Sequence, residues 1–316
     1  MTVIAIDLGG TKVASAVVSE AGDIVARGYA LLGDRGGADV ARLVLDRVRS
    51  LLDDQSAGGA RPDAVGVTVP GIYRADRGTV WAPNIPGWAD YPLLDELRNA
   101  LGPNIRVTVD SDRAAYILGE TWRGAAAGVR DAIFLAVGTG IGAGILVDGR
   151  VLRGHADIAG AIGWLALDRP FLSRYVSCGC FEYHASGPGL TNVARDLLAA
   201  TPEYHGDLRR GPANELTTSR VFDAFDLGDP IAVRVLDDAI QFWGMAVANL
   251  VSLFNPETIV FGGGVFGPAV RLLDRIRVEA ERWAQPISMR QVRLVASTLA
   301  GDAGLYGAAR LAIQGE

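Results

Sequence analysis

Residues 7–12, DLGGTK, bring an aspartate, two glycines, a hydroxyl and an ammonium group into one short turn. Glycine lets the backbone approach a phosphate closely because it has no Cβ, and Lys12 is a compact positive charge that can reach phosphate oxygens. Asp7 has the chemistry to hold a magnesium ion through water. The pattern predicts a phosphate-binding turn, and an ordinary Gly-Gly turn with a surface lysine is the alternative. The predicted nucleotide-binding residues of this turn are Asp7, Gly9, Gly10, Thr11 and Lys12.

A second glycine-rich turn lies within AVGTGIGAG at 136–144. Gly138, Gly140 and Ala143 match the G-x-G-x-x-A pattern of dinucleotide sites, but that pattern requires a helix to begin at the glycines. The strand-like sequence GILVDG follows instead, which excludes an NAD site. We predict that Gly138, Thr139 and Gly140 form a second phosphate turn, with a flexible turn as the alternative.

A third glycine cluster ends the apolar run IVFGGGV at 259–265. Backbone without side chains at the end of a strand suits a flat ligand such as an adenine or a ribose. Gly262, Gly263 and Gly264 are therefore predicted to lie against the nucleoside of the same nucleotide. A sharp strand-to-helix turn is the alternative.

The elements that position these turns alternate between strands and helices. Three apolar segments at 2–8, 13–19 and 23–30 predict consecutive antiparallel strands. A helix, a strand at 64–71, another helix, a strand at 105–110 and a helix over 112–124 follow. The order then restarts with a hairpin at 131–149, which predicts two α/β domains of similar plan around a cleft. The predicted domains are 1–118 with a C-terminal helix at about 302–316, and 119–301.

Composition narrows the class of protein. The formal net charge is −6 at pH 7 and the pI about 5.2, which argues against a nucleic-acid-binding surface. No apolar run approaches the roughly 18 residues that span a bilayer. The N-terminus lacks the pattern of a signal peptide, and two cysteines form no disulfide framework. We therefore expect a cytoplasmic protein without membrane or nucleic-acid partners.

The order of these motifs resembles the ROK family, which groups sugar-responsive repressors with bacterial sugar kinases. The resemblance includes VGVTVPGIYRADRGTVWAPNIPGW at 65–88, RGHADIAGAIGW at 153–164 and GCFEYHASGPGL at 179–190. It implies an α/β fold of two domains, the actin-like or hexokinase-like (ribonuclease H-like) ATPase fold with an interdomain cleft. It also implies ATP, Mg²⁺, a sugar or polyol substrate and a homodimer. Because the chain begins at the phosphate turn, with no room for a helix-turn-helix domain, a kinase is favoured over a repressor.

The resemblance also assigns residues to the acceptor. The segment VDSDRAAYILGE at 109–120 is similar to the family's E-N-D-A-N motif, which makes Asp112 the general base and Asp110 the fallback. A carboxylate suits that role because a sugar hydroxyl must lose its proton during phosphoryl transfer. Helix capping by Asp110, Ser111 or Asp112 is the alternative. The residues expected to bind the acceptor are Gly71, Asn84, Ser111, Asp112, Trp164 and Glu182.

Two departures from the family pattern concern the acceptor and zinc. The family's E-x-G-H motif reads Ala161, Ile162, Gly163 and Trp164, so a carboxylate and an imidazole are lost. We therefore expect a substrate that differs from glucose around C1–C2, such as a cyclitol, a deoxysugar or another unusual polyol. An ordinary glucose, N-acetylhexosamine or fructose kinase and a catalytically silent sensor are the alternatives.

The zinc motif C-x-C-G-x-x-G-C of the family is also broken. Only Cys178 and Cys180 remain, and neither His155 nor His184 stands at a family ligand position. Structural zinc normally takes four Cys or His ligands. We expect no zinc and two reduced cysteines in a loop.

Overall fold

The computed structural model describes residues 1–56, 61–212 and 215–315. The chain divides into two compact units. Unit 1 comprises Met1–Arg130, Gly144–Ala159 and Thr298–Glu316, and unit 2 comprises Asp131–Ala143 and Gly160–Ser297. The boundary predicted after residue 118 falls inside a helix, Asp112–Arg123.

Unit 1 contains a five-stranded sheet of order β3-β2-β1-β4-β7. The opening strands pair antiparallel, as predicted, whereas β1, β4 and β7 run parallel. The elements up to residue 123 are β1 (Thr2–Leu8), β2 (Lys12–Ser19), β3 (Ile24–Leu31), α1 (Gly37–Ser56), β4 (Ala64–Val69), β5 (Ile72–Arg74), β6 (Thr79–Trp81), α2 (Leu93–Leu101), β7 (Arg106–Ser111) and α3 (Asp112–Arg123). The small β5-β6 hairpin was not predicted, because its strands have only three residues each.

A second five-stranded sheet has the order β10-β9-β8-β11-β12, and its strands β8, β11 and β12 belong to unit 2. Helices α4 and α9 were not predicted, because six residues carry too little periodicity. A 3₁₀ segment, Pro268–Leu272, directly precedes α8 (Leu273–Trp283). The remaining elements are β8 (Ala132–Val137), β9 (Ile141–Val147), β10 (Arg150–Val151), α4 (Cys180–Ala185), α5 (Gly187–Ala200), α6 (Thr218–Asp226), α7 (Pro230–Phe254), β11 (Thr258–Gly262), α8 (Leu273–Trp283), α9 (Pro286–Gln291), β12 (Arg293–Ala296) and α10 (Ala303–Gln314).

The two faces of the unit 1 sheet bury side chains of different size. Ile4, Ile6 and Leu8 of β1 point to a large aliphatic core that α1 and α2 share. Val3 and Ala5 point to the opposite face, where small residues of α10 cover the sheet. Successive residues of a strand face opposite sides, so the alternation of large and small side chains in β1 sets how closely each helix approaches.

Gly66 in β4 is the point of closest approach between the sheet and α10. A Cβ at this position would lie 1.9 Å from the carbonyl oxygen of Ala308. We expect Gly66→Ala to lower the free energy of unfolding by about 1–3 kcal/mol or more, because backbone must move to make room. Denaturant unfolding monitored by circular dichroism measures the change.

The matched control is Gly301→Ala, since a Cβ there would meet no atom within 4 Å and its φ is not left-handed. We expect this control to stay within about 1 kcal/mol of the natural protein. Equal effects of the two variants would contradict close packing of α10 on the sheet.

Candidate active site

The carboxyl ends of the parallel strands in unit 1 bring two predicted aspartates to one edge of the sheet. The register pairs Asp7 of β1 with Thr68 of β4, and Thr68 with Asp110 of β7. Thr68 donates its hydroxyl hydrogen to Oδ1 of Asp7 at 2.9 Å. Burial raises the pKa of Asp7, an effect that the Thr68 hydrogen bond and the charge of Lys12 partly oppose. A nearby cation would favour the charged form of this buried carboxylate.

Asp7 also faces the start of helix α10. A Cβ on Gly304 would lie 2.4 Å from Oδ2 of Asp7, so the glycine leaves space for the carboxylate. The carboxylate of Asp7 therefore lies against the first turn of a helix, where the backbone dipole favours negative charge. Hard oxygen ligands of this kind fit Mg²⁺, which usually takes one or two carboxylates and keeps several waters.

The DLGGTK segment forms the turn between β1 and β2. The turn is closed by a hydrogen bond of 2.9 Å from the Gly9 N–H to the Lys12 carbonyl, and Gly10, Thr11 and Lys12 are exposed. A Cβ on Gly10 would lie 2.7 Å from Nδ2 of Asn84. The structure thus brings a predicted nucleotide-binding turn and a predicted acceptor-binding amide into contact.

Asp112 is the first residue of α3, directly after β7. The helix is capped by Ser111, whose Oγ accepts a hydrogen bond from the Ala114 N–H at 3.4 Å. Of the three residues considered for capping, Ser111 takes the role. Asp112 is half-buried. Burial raises its pKa to about 7, with a smaller contribution in the same direction from the charge of Asp7, against the lowering effect of Arg113.

Asp110, the fallback base, has a different environment. It is 3% exposed, forms an ion pair with Arg153 and accepts a 2.7 Å hydrogen bond from the Ser111 N–H. Burial raises its pKa, which the charge of Arg153 opposes. Arg153 was missed as a site residue, although it begins the quoted segment at 153–164.

The segment that carries Arg153 is fastened to the rest of unit 1 at two further places. Oδ2 of Asp157 accepts a hydrogen bond from the Ala75 N–H at 3.0 Å. The guanidinium of Arg113 donates to the carbonyl of Gly71 at 3.4 Å and to that of Ala159 at 3.5 Å.

Gly71 has φ +86°, and a Cβ there would lie 2.2 Å from the Trp81 carbonyl. Its glycine identity is therefore explained by backbone geometry.

In unit 2 the predicted second phosphate turn connects β8 to β9. The Gly138 N–H donates to the Gly140 carbonyl at 2.9 Å, and Thr139 and Gly140 are exposed. The Gly187 N–H, at the start of α5, donates to the Gly138 carbonyl at 2.8 Å. The turn is therefore a short, hydrogen-bonded loop held by a neighbouring helix start.

The three glycines at the end of β11 lie beside that turn. Gly262 ends the strand, and a Cβ on it would lie 2.3 Å from the ring of Phe134. Gly263 has φ +87°, and a Cβ there would lie 2.4 Å from the Val137 carbonyl, at the end of β8. A Cβ on Gly264 would meet nothing within 4 Å. Of these three glycines, Gly264 alone has open space in the direction of a side chain.

Comparison with known proteins decides the family. The ROK family model matches residues 3–315. The chain belongs to the ROK family. A glucokinase of Halalkalibacterium halodurans is 32% identical over 318 residues, which cover 99% of this chain and 95% of that protein.

Solved ROK structures share the fold. The ROK hexokinase from Thermus thermophilus has a TM-score of 0.80 at 32% identity, with 99% of this chain and 98% of that chain covered. A ROK family glucokinase from Streptomyces griseus, in complex with glucose and AMPPNP, has a TM-score of 0.77 at 32% identity, covering 99% and 100%. The predicted fold class, α/β with the actin-like or hexokinase-like ATPase plan, is confirmed.

The stretch in the place of the family's E-x-G-H motif forms a 3₁₀ turn in unit 2. Ala161 precedes the turn Ile162–Trp164, and the side chain of Trp164 is exposed. Glu182 lies next to this turn, because a Cβ on Gly163 would be 3.0 Å from its Oε2. Burial raises the pKa of Glu182, and a hydrogen bond from the Ile141 N–H opposes the rise. The surviving carboxylate therefore lies against the turn that carries the substituted tryptophan, and both belong to unit 2.

The broken ROK zinc motif does not present a ligand set. Cys178 is half-buried and Cys180 buried, and no group of three His, Cys, Asp or Glu residues that could hold a metal occurs in residues 1–56, 61–212 and 215–315. His184 contacts the Tyr175 hydroxyl through Nε2 at 2.8 Å and stacks on Phe242 with centroids 4.3 Å apart. These residues do not fit four-coordinate zinc.

Within the described part of the chain, no helix combines the length and apolar character needed to cross a bilayer.

Proposed function

We propose that this ROK protein is an ATP-dependent kinase that phosphorylates a hydroxyl of a sugar or sugar-like polyol, with Asp112 as general base. The observation that carries the proposal is the half-buried carboxylate of Asp112 at the edge of the sheet that also presents Asp7 and the DLGGTK turn. A base with a pKa near neutral pH is suited to proton transfer.

In the proposed reaction, Asp112 accepts the proton of the acceptor hydroxyl as its oxygen attacks the γ-phosphorus of ATP. The bond from that phosphorus to the bridging oxygen breaks, and ADP leaves. Asp7 is the residue whose oxygens suit Mg²⁺, which would neutralise phosphate charge. Nucleotide binding is assigned to the three glycine turns, and the acceptor to Gly71, Asn84, Ser111, Trp164 and Glu182.

ATP as donor is supported by the S. griseus glucokinase, whose structure contains AMPPNP. Asp112 is preferred to Asp110 as base because the Asp110 carboxylate is already engaged by Arg153 and the Ser111 N–H. A homodimer remains a prediction from the resemblance, and a cytoplasmic location remains a prediction from the sequence.

For the acceptor, the proposal favours a cyclitol or an unusual sugar over glucose. Ala161 and Trp164 remove a carboxylate and an imidazole that would bind hydroxyls, and a site built to bond a hydroxyl discriminates steeply. Trp164 offers an apolar ring face for the C–H face of a ring instead. A glucose kinase is the second candidate, favoured by the glucokinase of H. halodurans at 32% identity.

The test is ADP release from Mg-ATP with a panel of hexoses, N-acetylated amino sugars, ketoses and inositols, and with Asp112→Asn as the blank. Turnover of a cyclitol or unusual sugar at a higher kcat/KM than glucose supports the proposal. Efficient turnover of glucose supports the second candidate. Binding of an acceptor without turnover of any of them would support a silent sensor.

The activity should depend on pH through Asp112. Only the deprotonated carboxylate accepts a proton, so we expect kcat/KM for the acceptor to rise about tenfold per pH unit below its pKa of about 7 and to level off above it. Rates measured from pH 5.5 to 8.5 give the profile. A flat profile across this range would contradict the assignment of Asp112.

A further inference from the structure

We propose that Glu182 is a positioning residue for the phosphate turn Gly138–Gly140, a role that rests on the proposed kinase function and goes beyond contact with the acceptor. Its Oε2 accepts a hydrogen bond of 2.6 Å from the Ile141 N–H, the residue directly after the turn. A Cβ on Gly140 would lie 2.8 Å from the same oxygen. The carboxylate therefore lies directly against the turn.

The segment 182–187 holds both sides of this turn. Glu182 binds the N–H at its downstream end, and the Gly187 N–H donates to the Gly138 carbonyl at its upstream end at 2.8 Å. Thr218 also fixes the position of Gly187, because its hydroxyl donates to the Gly187 carbonyl at 2.9 Å. Glu182 and Gly187 of this segment thus hold the two ends of the turn in place through one hydrogen bond each.

These bonds also decide which backbone groups can meet a phosphate. The Gly138 N–H is used by the Gly140 carbonyl, and the Ile141 N–H by Glu182. Among the described residues, the backbone N–H groups of Thr139 and Gly140 have no acceptor, and both residues are exposed. Successive backbone N–H groups that are free to point at a ligand can bind anions. Glu182 keeps the Ile141 end of the turn fixed, so that these two groups stay exposed together.

Two single substitutions of Glu182 distinguish this positioning role from acceptor binding. Glu182→Gln removes the charge but keeps an oxygen that can accept from the Ile141 N–H. Glu182→Asp keeps the charge but shortens the side chain and withdraws its oxygens. The measurement is calorimetric binding of AMPPNP with Mg²⁺, and of adenosine, which lacks phosphates.

We expect Glu182→Asp to weaken AMPPNP binding about ten- to a hundredfold, the effect of losing a hydrogen bond to a charged group. Adenosine binding should not change. Glu182→Gln should bind AMPPNP as tightly as the natural protein or more tightly, because a negative charge beside the phosphates is removed. Glu203→Gln, at an exposed position, is the control for loss of one surface charge.

The proposal would be overturned if Glu182→Asp bound AMPPNP as tightly as the natural protein does and raised only the KM of the acceptor. An equal loss of AMPPNP affinity in Glu182→Gln would overturn it as well. The binding readout needs no turnover. If the variants show the expected AMPPNP affinities but the natural protein phosphorylates no acceptor, the kinase function is refuted while the role of Glu182 is supported.

Discussion

Replacing Asp112 with asparagine is expected to lower kcat about 10²–10⁴-fold, the usual contribution of a general base. Asparagine has nearly the same shape, but its amide cannot take the proton of the acceptor hydroxyl. The KM for ATP should change little, because Asp112 is not among the residues assigned to the nucleotide. Steady-state kinetics with the best acceptor of the panel measure both constants.

Asp95→Asn is the matched control, because both aspartates lie in the first turn of a helix, Asp95 in α2 and Asp112 in α3. Asp95 is exposed, whereas Asp112 is half-buried. Its kcat should equal that of the natural protein. If Asp112→Asn kept full activity with an unchanged pH profile, the base would have to be sought elsewhere, beginning with Asp110.

The second large effect is expected from Arg153→Met, which leaves the carboxylate of Asp110 buried without its ion-pair partner. Removing one member of a fully buried pair costs about 3–5 kcal/mol. Because the Arg153 side chain is 37% exposed, water can reach the pair and we expect about 1–3 kcal/mol at pH 7. Denaturant unfolding measures the loss.

The loss should also depend on pH in a definite direction. Burial raises the pKa of Asp110 in the folded protein, and Arg153 opposes that rise. Without Arg153 the folded state favours the protonated carboxyl still more, so the variant is least destabilised at low pH and loses stability as pH rises through the folded pKa. The deficit relative to the natural protein should therefore grow as the pH rises from acidic values to pH 7.

Arg275→Met provides the comparison, because the ion pair of Arg275 with Asp237 is nearly half exposed on both sides. A surface pair contributes about 0–1 kcal/mol, and its loss should vary little over the same pH range. An Arg153→Met deficit that is small and independent of pH would show that the pair with Asp110 does not stabilise the folded state.

The sequence was sufficient for features that depend on local patterns. Apolar segments predicted β1, β2 and β3, and the helix predicted over 112–124 begins at Asp112 as α3. The contacts of the site were less accessible. Arg153 and Asp110 lie 43 residues apart, and Glu182 and Ile141 lie 41 residues apart.

Neither pair follows a spacing rule, because the loops between strands decide which side chains meet. Arg153 lies in a loop after the two-residue strand β10, where no periodicity indicates the direction of a side chain. Glu182 was predicted as an acceptor ligand from its motif, and its hydrogen bond to the β8-β9 turn depends on the six-residue helix α4. Short elements of this kind are fixed by tertiary packing rather than by propensity.

The position of α10 has a consequence for how the chain reaches its native state. The strands of the β3-β2-β1-β4-β7 sheet lie within the first 111 residues, yet Leu305, Ala308 and Ala312 of α10 cover one face of that sheet. Closing so long a loop is slow, since contacts between distant residues delay folding. While synthesis proceeds from the N-terminus, the Val3 and Ala5 side of the sheet stays open to water and to other chains. Binding by a chaperone at that face is the expected protection during this interval.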